Sequence, residues 1–292
     1  MKEQDSLHRF VFENSPVRGE IVNLDATWRA VLEKHAYPLP LQTLLGEMMA
    51  AAALLAATLK FSGTLIMQMH GSGPVKLLVV ECTSEMTMRA TAKWDGEIAD
   101  GSISDLLGEG RFAITIDPEE EGKQSYQGIV SLEGATVSEV LESYMQRSEQ
   151  LETRLWLEAD AGQAAGMLLQ KLPQEENEED DAWNRAVHLG STISREELLN
   201  LPATEIMFRL FHEEDIRAFE RTPVSFRCSC SQERVANMLR MLGQEEVHSI
   251  LDELETIEVD CEFCNRHYAF DAVDAEQLFV TNVITAVPPT VH

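Results

Sequence analysis

The chain has 292 residues, of which 44% are hydrophobic and 25% charged, enough for one sizeable core and a small second domain. Fifty Asp and Glu residues against 23 Lys and Arg give a net charge of −27. This balance argues against nucleic-acid and anionic-membrane partners, because both bind basic faces. Residues 1–10 lack an apolar signal core. We therefore expect a cytoplasmic protein, in a reducing compartment where paired cysteines hold metal or perform redox chemistry.

The apolar pattern of residues 1–173 predicts strands and helices in separate blocks. Predicted strands span 7–12, 17–24, 64–70, 75–82, 86–93, 111–116, 126–132, 154–158 and 167–172. Predicted helices span 27–35, 41–59 and 137–145. The apolar run 48–57 has about half of the ~20 residues that a membrane span needs, so it indicates a buried Ala-rich helix. Because the two element types do not alternate, an α+β fold is predicted.

The composition changes after Pro173, where six of the eight residues 174–181 are acidic, as is typical of a solvated linker. Residues 182–227 hold many large apolar side chains among charges. A helix starting near Pro202 would place four of them on one face: Ile206, Met207, Leu210 and Phe211. Short helices need a surface to pack on. Two interpretations stay open: a segment docked on the first domain in one state and freed in another, or a permanently packed helical connector.

Four of the five cysteines lie near the C-terminus in two close pairs, Cys228 with Cys230 and Cys261 with Cys264. Four thiolates suit a tetrahedral Zn²⁺ site. The one-residue gap of the first pair is tighter than the usual two to four. Asn265 follows the second pair and suits the positive φ that a metal knuckle requires. We predict a structural zinc site in a C-terminal domain over 228–292.

The residues between the pairs predict two helices followed by two short strands. The first helix starts after Ser231 and stops at Gly243, and the strands lie at 257–259 and 267–270. The apolar residues that recur at helical spacing are Val235, Met238, Leu239 and Leu242 in the first helix and Val247, Ile250, Leu251 and Leu254 in the second.

Zinc is expected to decide whether this domain stays folded, because few of its residues are large and apolar. A structural zinc contributes roughly 10–16 kcal/mol, and a domain's whole stability is about 5–15 kcal/mol. Disulfides that close such short loops would each stabilise the domain by less than about 2 kcal/mol. Oxidation of the four thiols should therefore melt the domain.

Taken together, these features resemble the heat shock protein 33 family of redox-regulated holdase chaperones. Besides the cysteine pairs, the matching stretches are LHRF at 7–10, VRGE at 17–20, ATLKF at 57–61, YQGI at 126–129, RSEQ at 147–150, GMLLQ at 166–170, LPA at 201–203 and FHEE at 211–214. The resemblance implies a core domain over 1–173, a metastable linker over 174–227 and a redox-switch domain over 228–292.

The same resemblance implies an ATP-independent chaperone, not an enzyme, that protects unfolding client proteins under oxidative stress. It implies one zinc on Cys228, Cys230, Cys261 and Cys264 in the reduced state. On oxidation, it implies disulfides Cys228–Cys230 and Cys261–Cys264, zinc release and a homodimer. Cys82 receives no family role and is expected to be an ordinary buried thiol.

Three other functions are compatible with parts of the sequence. A zinc-ribbon regulator that binds nucleic acid is the main alternative, opposed by the charge and by the interleaving of arginines with acids. A zinc hydrolase would need an open metal position, which four cysteines close, although His248 and His267 are possible substitute ligands. A thioredoxin-like enzyme would need its C-x-x-C at a helix N-terminus, whereas Cys261 and Cys264 lie between predicted strands.

Overall fold

Two units make up the computed structural model, which describes residues 5–120, 122–173 and 181–280; the first unit ends at Arg227 and the second begins at Cys228. The strands of the first unit are β1 (Ser6–Phe12), β2 (Val17–Leu24), β3 (Gly63–Gly71), β4 (Val75–Thr83), β5 (Thr87–Trp94), β6 (Gly110–Pro118), β7 (Tyr126–Ser131), β8 (Thr153–Ala159), β9 (Ala164–Lys171), β10 (Ile216–Ala218), β11 (Thr222–Pro223) and β12 (Ser225–Phe226). Its helices are α1 (Ala26–Leu32), α2 (Leu39–Thr58), α3 (Ile103–Leu107), α4 (Val137–Tyr144), α5 (Asp181–Gly190), α6 (Arg195–Asn200) and α7 (Ala203–Phe211), with a π-helical turn at Met145–Glu149. The predicted α+β fold class is confirmed.

The first unit is built from two sheets and one central helix. The first sheet has the order β10-β1-β2-β9-β8, with β11 also paired to β1, and the second has the order β12-β5-β4-β3-β6-β7. Helix α2 packs on strands of both sheets, and thirteen of its twenty residues are buried. By length and composition alone this helix could span a membrane. Its burial instead makes it the core helix that the Ala-rich run predicts.

The face of the first sheet that points away from α2 is covered by α5, α6 and α7. We call residues 181–211 the docked segment. The register of β1 and β2 pairs Phe10 with Gly19. A Cβ atom on Gly19 would come within 2.1 Å of the Phe10 ring, so the absence of a side chain there lets the ring lie flat on the sheet beneath the docked segment.

The second unit consists of α8 (Gln232–Leu242), α9 (Gln244–Leu254), the hairpin β13 (Ile257–Asp260) with β14 (His267–Phe270), and α10 (Ala272–Val280). The two predicted helices and the two predicted strands are confirmed, including Ser231 as N-cap and Gly243 at the end of α8. Its core is small, and the buried residues are Ala236, Leu239, Val247, Leu251, Ile257, Tyr268, Phe270, Ala275 and Leu278.

Some elements differ from the sequence-based expectation. Helices α3 and α10 were not predicted, although Asp271 accepts hydrogen bonds from the backbone of Val273 and Asp274 as an N-cap does. The segment expected to be a helical linker also contributes the short strands β10, β11 and β12. Of the predicted acidic linker 174–181, all but Asp181 lies outside the described residues.

A buried carboxyl group on β2 should make stability pH-dependent. Glu20 is 2% exposed, and burial, countered in part by Arg18 and Arg9, raises its pKa to about 8. The folded chain thus holds a proton that the unfolded chain releases above about pH 4.5, so the free energy of unfolding should fall as pH rises towards 8. We expect Glu20→Gln to reduce this fall in urea titrations at pH 5 and pH 9.

The solvent-exposed Glu13, which pairs with Arg217, provides the control substitution Glu13→Gln. This variant should keep the wild-type pH dependence. Identical pH dependence for Glu20→Gln and the wild type would contradict the assignment.

Candidate metal centre

The structure gathers all four cysteine sulfurs of the second unit into one cluster. Every pair of Sγ atoms lies within 4.8 Å, with 3.6 Å between Cys228 and Cys261 and 3.3 Å between Cys230 and Cys264. Among the described residues, no histidine or carboxylate belongs to this group of candidate ligands. His267 instead contacts Asp260, with 2.9 Å from Nδ1 to Oδ1.

The backbone fixes the second cysteine pair in the turn between β13 and β14. The amides of Cys264 and Asn265 donate to the Cys261 carbonyl at 3.2 and 2.7 Å, and the Cys261 amide donates to the Arg266 carbonyl at 3.0 Å. Asn265 has φ of +55°, the left-handed conformation expected after a metal knuckle. This turn holds both sulfurs on one side of the hairpin.

The first cysteine pair lies directly before α8. Ser231 caps this helix by accepting from the Arg234 amide at 3.2 Å, and the Arg234 guanidinium donates to the Ser229 hydroxyl at 2.6 Å. The residue between the two cysteines is therefore tied to the first turn of the helix. Cys228 and Cys230 can both reach the cluster despite the one-residue gap, because α8 begins directly after them and its first turn holds this stretch of chain.

The pKa values of two thiols in the cluster are shifted in opposite directions. Burial acts to raise the pKa of the Cys230 thiol, but hydrogen bonds, foremost that from the Tyr268 hydroxyl at 3.1 Å, hold it at about 7. Burial raises the pKa of the Cys264 thiol to about 12. Several thiolates this close repel one another, so full deprotonation of the cluster requires a bound cation.

The donor set fits a divalent soft metal. A tetrahedron with metal–sulfur bonds of roughly 2.3 Å has edges of about 3.8 Å, and the observed sulfur separations lie around that value. Four cysteines can hold a metal ion here and would leave no position open for a substrate. Cys82, in contrast, is buried in β4, where burial raises the pKa of its thiol to about 12, as expected for an ordinary core thiol.

The docked segment forms a second feature with functional potential, on the first unit. From the sheet, the buried residues are Phe10, Phe12, Val17, Ile21, Ala165, Met167 and Leu169. From the helices, they are Trp183, Ala186, Leu198, Leu199, Ala203, Ile206, Met207, Leu210 and Phe211. The four residues that the sequence predicts on one face of α7 all lie in this cluster. Three short helices therefore cover a broad apolar surface on the sheet.

Aromatic and ionic contacts tie the docked segment to the sheet. The Phe211 ring packs on Phe10 and Phe12, with centroids 5.7 and 5.3 Å apart. Arg195 of α6 forms an ion pair with Glu158 of β8 and donates to the Ala159 carbonyl at 2.6 Å. These contacts fix α6 and α7 at two separate places on the same sheet.

Comparisons with known proteins agree over almost the whole chain. A family model described as Hsp33 protein matches residues 5–271. The 33 kDa chaperonin of Methylobacillus flagellatus is 55% identical over 286 residues, covering 97% of each chain, and that of Nitrosococcus oceani is 53% identical over 292 residues, covering 100% of each. The crystal structure of the 33 kDa chaperonin of Thermotoga maritima has the same fold, with a TM-score of 0.82 at 21% identity, covering 96% of this chain and 99% of that one. The chain therefore belongs to the Hsp33 protein family.

Proposed function

We propose that this chain is an ATP-independent holdase chaperone of the cytoplasm that is switched on by oxidation. In the reduced state, one Zn²⁺ bound by Cys228, Cys230, Cys261 and Cys264 keeps the second unit folded. In the oxidised state, the zinc is released, the second unit unfolds and the docked segment leaves the sheet. The exposed apolar surfaces then bind unfolding proteins, and the active form is a homodimer.

The cluster of four sulfurs is the observation that carries the proposal. Over residues 228–280, its unit has nine buried core residues, three of them alanine or valine. A zinc contribution of roughly 10–16 kcal/mol is as large as or larger than the stability of about 5–15 kcal/mol expected for a whole domain. Loss of the metal is therefore enough to unfold this unit.

The thiol chemistry follows from the arrangement of the sulfurs. Hydrogen peroxide transfers one oxygen to a thiolate as its O–O bond breaks, giving a sulfenic acid and hydroxide. A neighbouring thiolate then attacks the sulfenic sulfur, so that an S–S bond forms and hydroxide leaves. We assign the disulfides Cys228–Cys230 and Cys261–Cys264 from the family resemblance, and peptide mapping distinguishes them from the cross-pairs that are also within reach.

A short path along the chain connects the metal centre with the docked segment. Cys228 directly follows Arg227, whose amide donates to the Met88 carbonyl at 2.9 Å and so ends the two-residue strand β12. Strands β11 and β10 precede it and pair with β1 over two and three residues. Such short strands have little stability of their own. Unfolding of the chain after Cys228 would therefore loosen β12, β11 and β10 first and then α7, which precedes them in the chain.

The revealed surface explains how one protein could hold many clients. The sheet beneath the docked segment presents aromatic, methionine and aliphatic side chains, which adapt to diverse apolar sequences. The net charge of −27 helps a client-loaded complex to remain in solution. No nucleotide is needed, because the opening step is driven by oxidation.

The test is an aggregation assay with a heat-unfolded client, run with reduced zinc-loaded protein and with protein treated with peroxide at mild heat. We expect suppression of light scattering only after oxidation, together with loss of four thiols and one zinc per chain. Protection in neither state would refute chaperone function. Equal protection in both states would refute the redox gate alone.

A further inference from the structure

A tyrosine outside the set of candidate ligands is aimed at one of the sulfurs. Tyr268 lies in β14, and its ring belongs to the core of the second unit, with 9% of the residue exposed. Its hydroxyl lies 3.1 Å from Cys230 Sγ. A metal-bound thiolate has no proton to give, so the phenol donates and the sulfur accepts.

The strand register fixes the direction of this phenol. Tyr268 pairs with Val259, and Phe270 pairs with Ile257, across the β13–β14 hairpin. All four side chains contribute to the core of the unit. Packing therefore fixes the orientation of the ring, and this orientation places the hydroxyl next to the sulfur cluster.

A guanidinium completes the arrangement. The positive charge of Arg266 interacts with the Tyr268 hydroxyl and with Cys230, to which that hydroxyl donates. The Arg266 carbonyl also accepts from the Cys261 amide in the knuckle. One short stretch of chain thus orients Cys261 through its backbone and Cys230 through the Tyr268 side chain, which links the two cysteine pairs.

We infer that Tyr268 is a positioning residue of the metal centre, which holds the Cys230 sulfur for the ion and restrains its reaction with oxidants and alkylating agents. The inference rests on the proposed zinc site and deepens it. Removal of a residue that hydrogen-bonds a metal ligand typically lowers the metal affinity by about 10–100-fold. Donation to a thiolate also withdraws electron density from the sulfur and so reduces its nucleophilicity.

The substitution Tyr268→Phe removes the hydroxyl and keeps the buried ring. Two readouts apply to the full-length chain: zinc affinity by competition with a chromogenic chelator, and the rate of iodoacetamide labelling at each cysteine by mass spectrometry. We expect zinc affinity to fall by about 10–100-fold. With zinc in excess, so that all four sulfurs are bound as thiolates in both proteins, we also expect Cys230 labelling to accelerate relative to Cys264, a ratio that general loosening of the unit would leave unchanged.

The matched control is Tyr126→Phe, which removes a hydroxyl that bonds Glu149 in the first unit. It should bind zinc and label as the wild type does. The inference is overturned if Tyr268→Phe binds zinc within about twofold of the wild type, or if its four cysteines accelerate equally. Absence of zinc binding by the wild type would instead refute the proposed function.

Discussion

Replacement of Phe211 by alanine should let the reduced, zinc-loaded chain protect unfolding proteins without any oxidant. The side chain is 1% exposed and closes the aromatic cluster with Phe10 and Phe12. Removing a buried phenylalanine typically costs 3–5 kcal/mol, which is a factor of roughly 10²–10⁴ in the equilibrium between docked and released helices. The measurements are light scattering of a heat-unfolded client and limited proteolysis within residues 181–211.

Phe208 provides a control on the same helix. It lies one turn before Phe211 but is 71% exposed, so Phe208→Ala changes the composition of α7 equally without opening the cluster. This variant should remain inactive until it is oxidised. The account is contradicted if the two variants behave alike, or if Phe211→Ala becomes sensitive to protease in the docked segment and still fails to protect clients.

Loss of one sulfur from the metal centre should unfold the second unit and leave the first intact. Cys264→Ser replaces a soft ligand by a hydroxyl that binds zinc poorly, which should remove most of the roughly 10–16 kcal/mol that the metal contributes. We expect less than one zinc per chain, disappearance of one thermal transition and client protection under reducing conditions.

A second cysteine substitution separates loss of a thiol from loss of the metal. Cys82→Ala removes the buried thiol of β4 and should lower the stability of the first unit while zinc content stays at one per chain. Full zinc occupancy and an unchanged second unit in Cys264→Ser would show that three sulfurs suffice, which contradicts the proposed role of the four-sulfur centre.

Local patterns in the sequence predicted several parts of the structure. The Ala-rich stretch predicted α2, because a helix that is apolar on all sides must be buried. Ser231, Gly243 and the helical spacing between them predicted α8, because capping and periodicity are local properties of the chain. The two cysteine pairs predicted the cluster of four sulfurs, because two cysteines close in sequence can bind the same ion.

Other parts could not be derived in this way because they depend on partners distant in sequence. Strands β10, β11 and β12 have two or three residues each and form only where β1 and β5 offer free edges. The role of Tyr268 depends on a hairpin register that brings it to a cysteine 38 residues away. Helix α10 was not predicted, although its capping residue, Asp271, is a local signal in the sequence.

The most direct measurement of the central claim is hydrogen exchange of the full-length chain, followed by mass spectrometry, before and after peroxide treatment at mild heat. We predict that amides in 228–280 and in the docked segment lose protection together as zinc leaves, while α2 stays protected. Continued protection of the second unit after the zinc has left, or of the docked segment after the second unit has unfolded, would contradict the account.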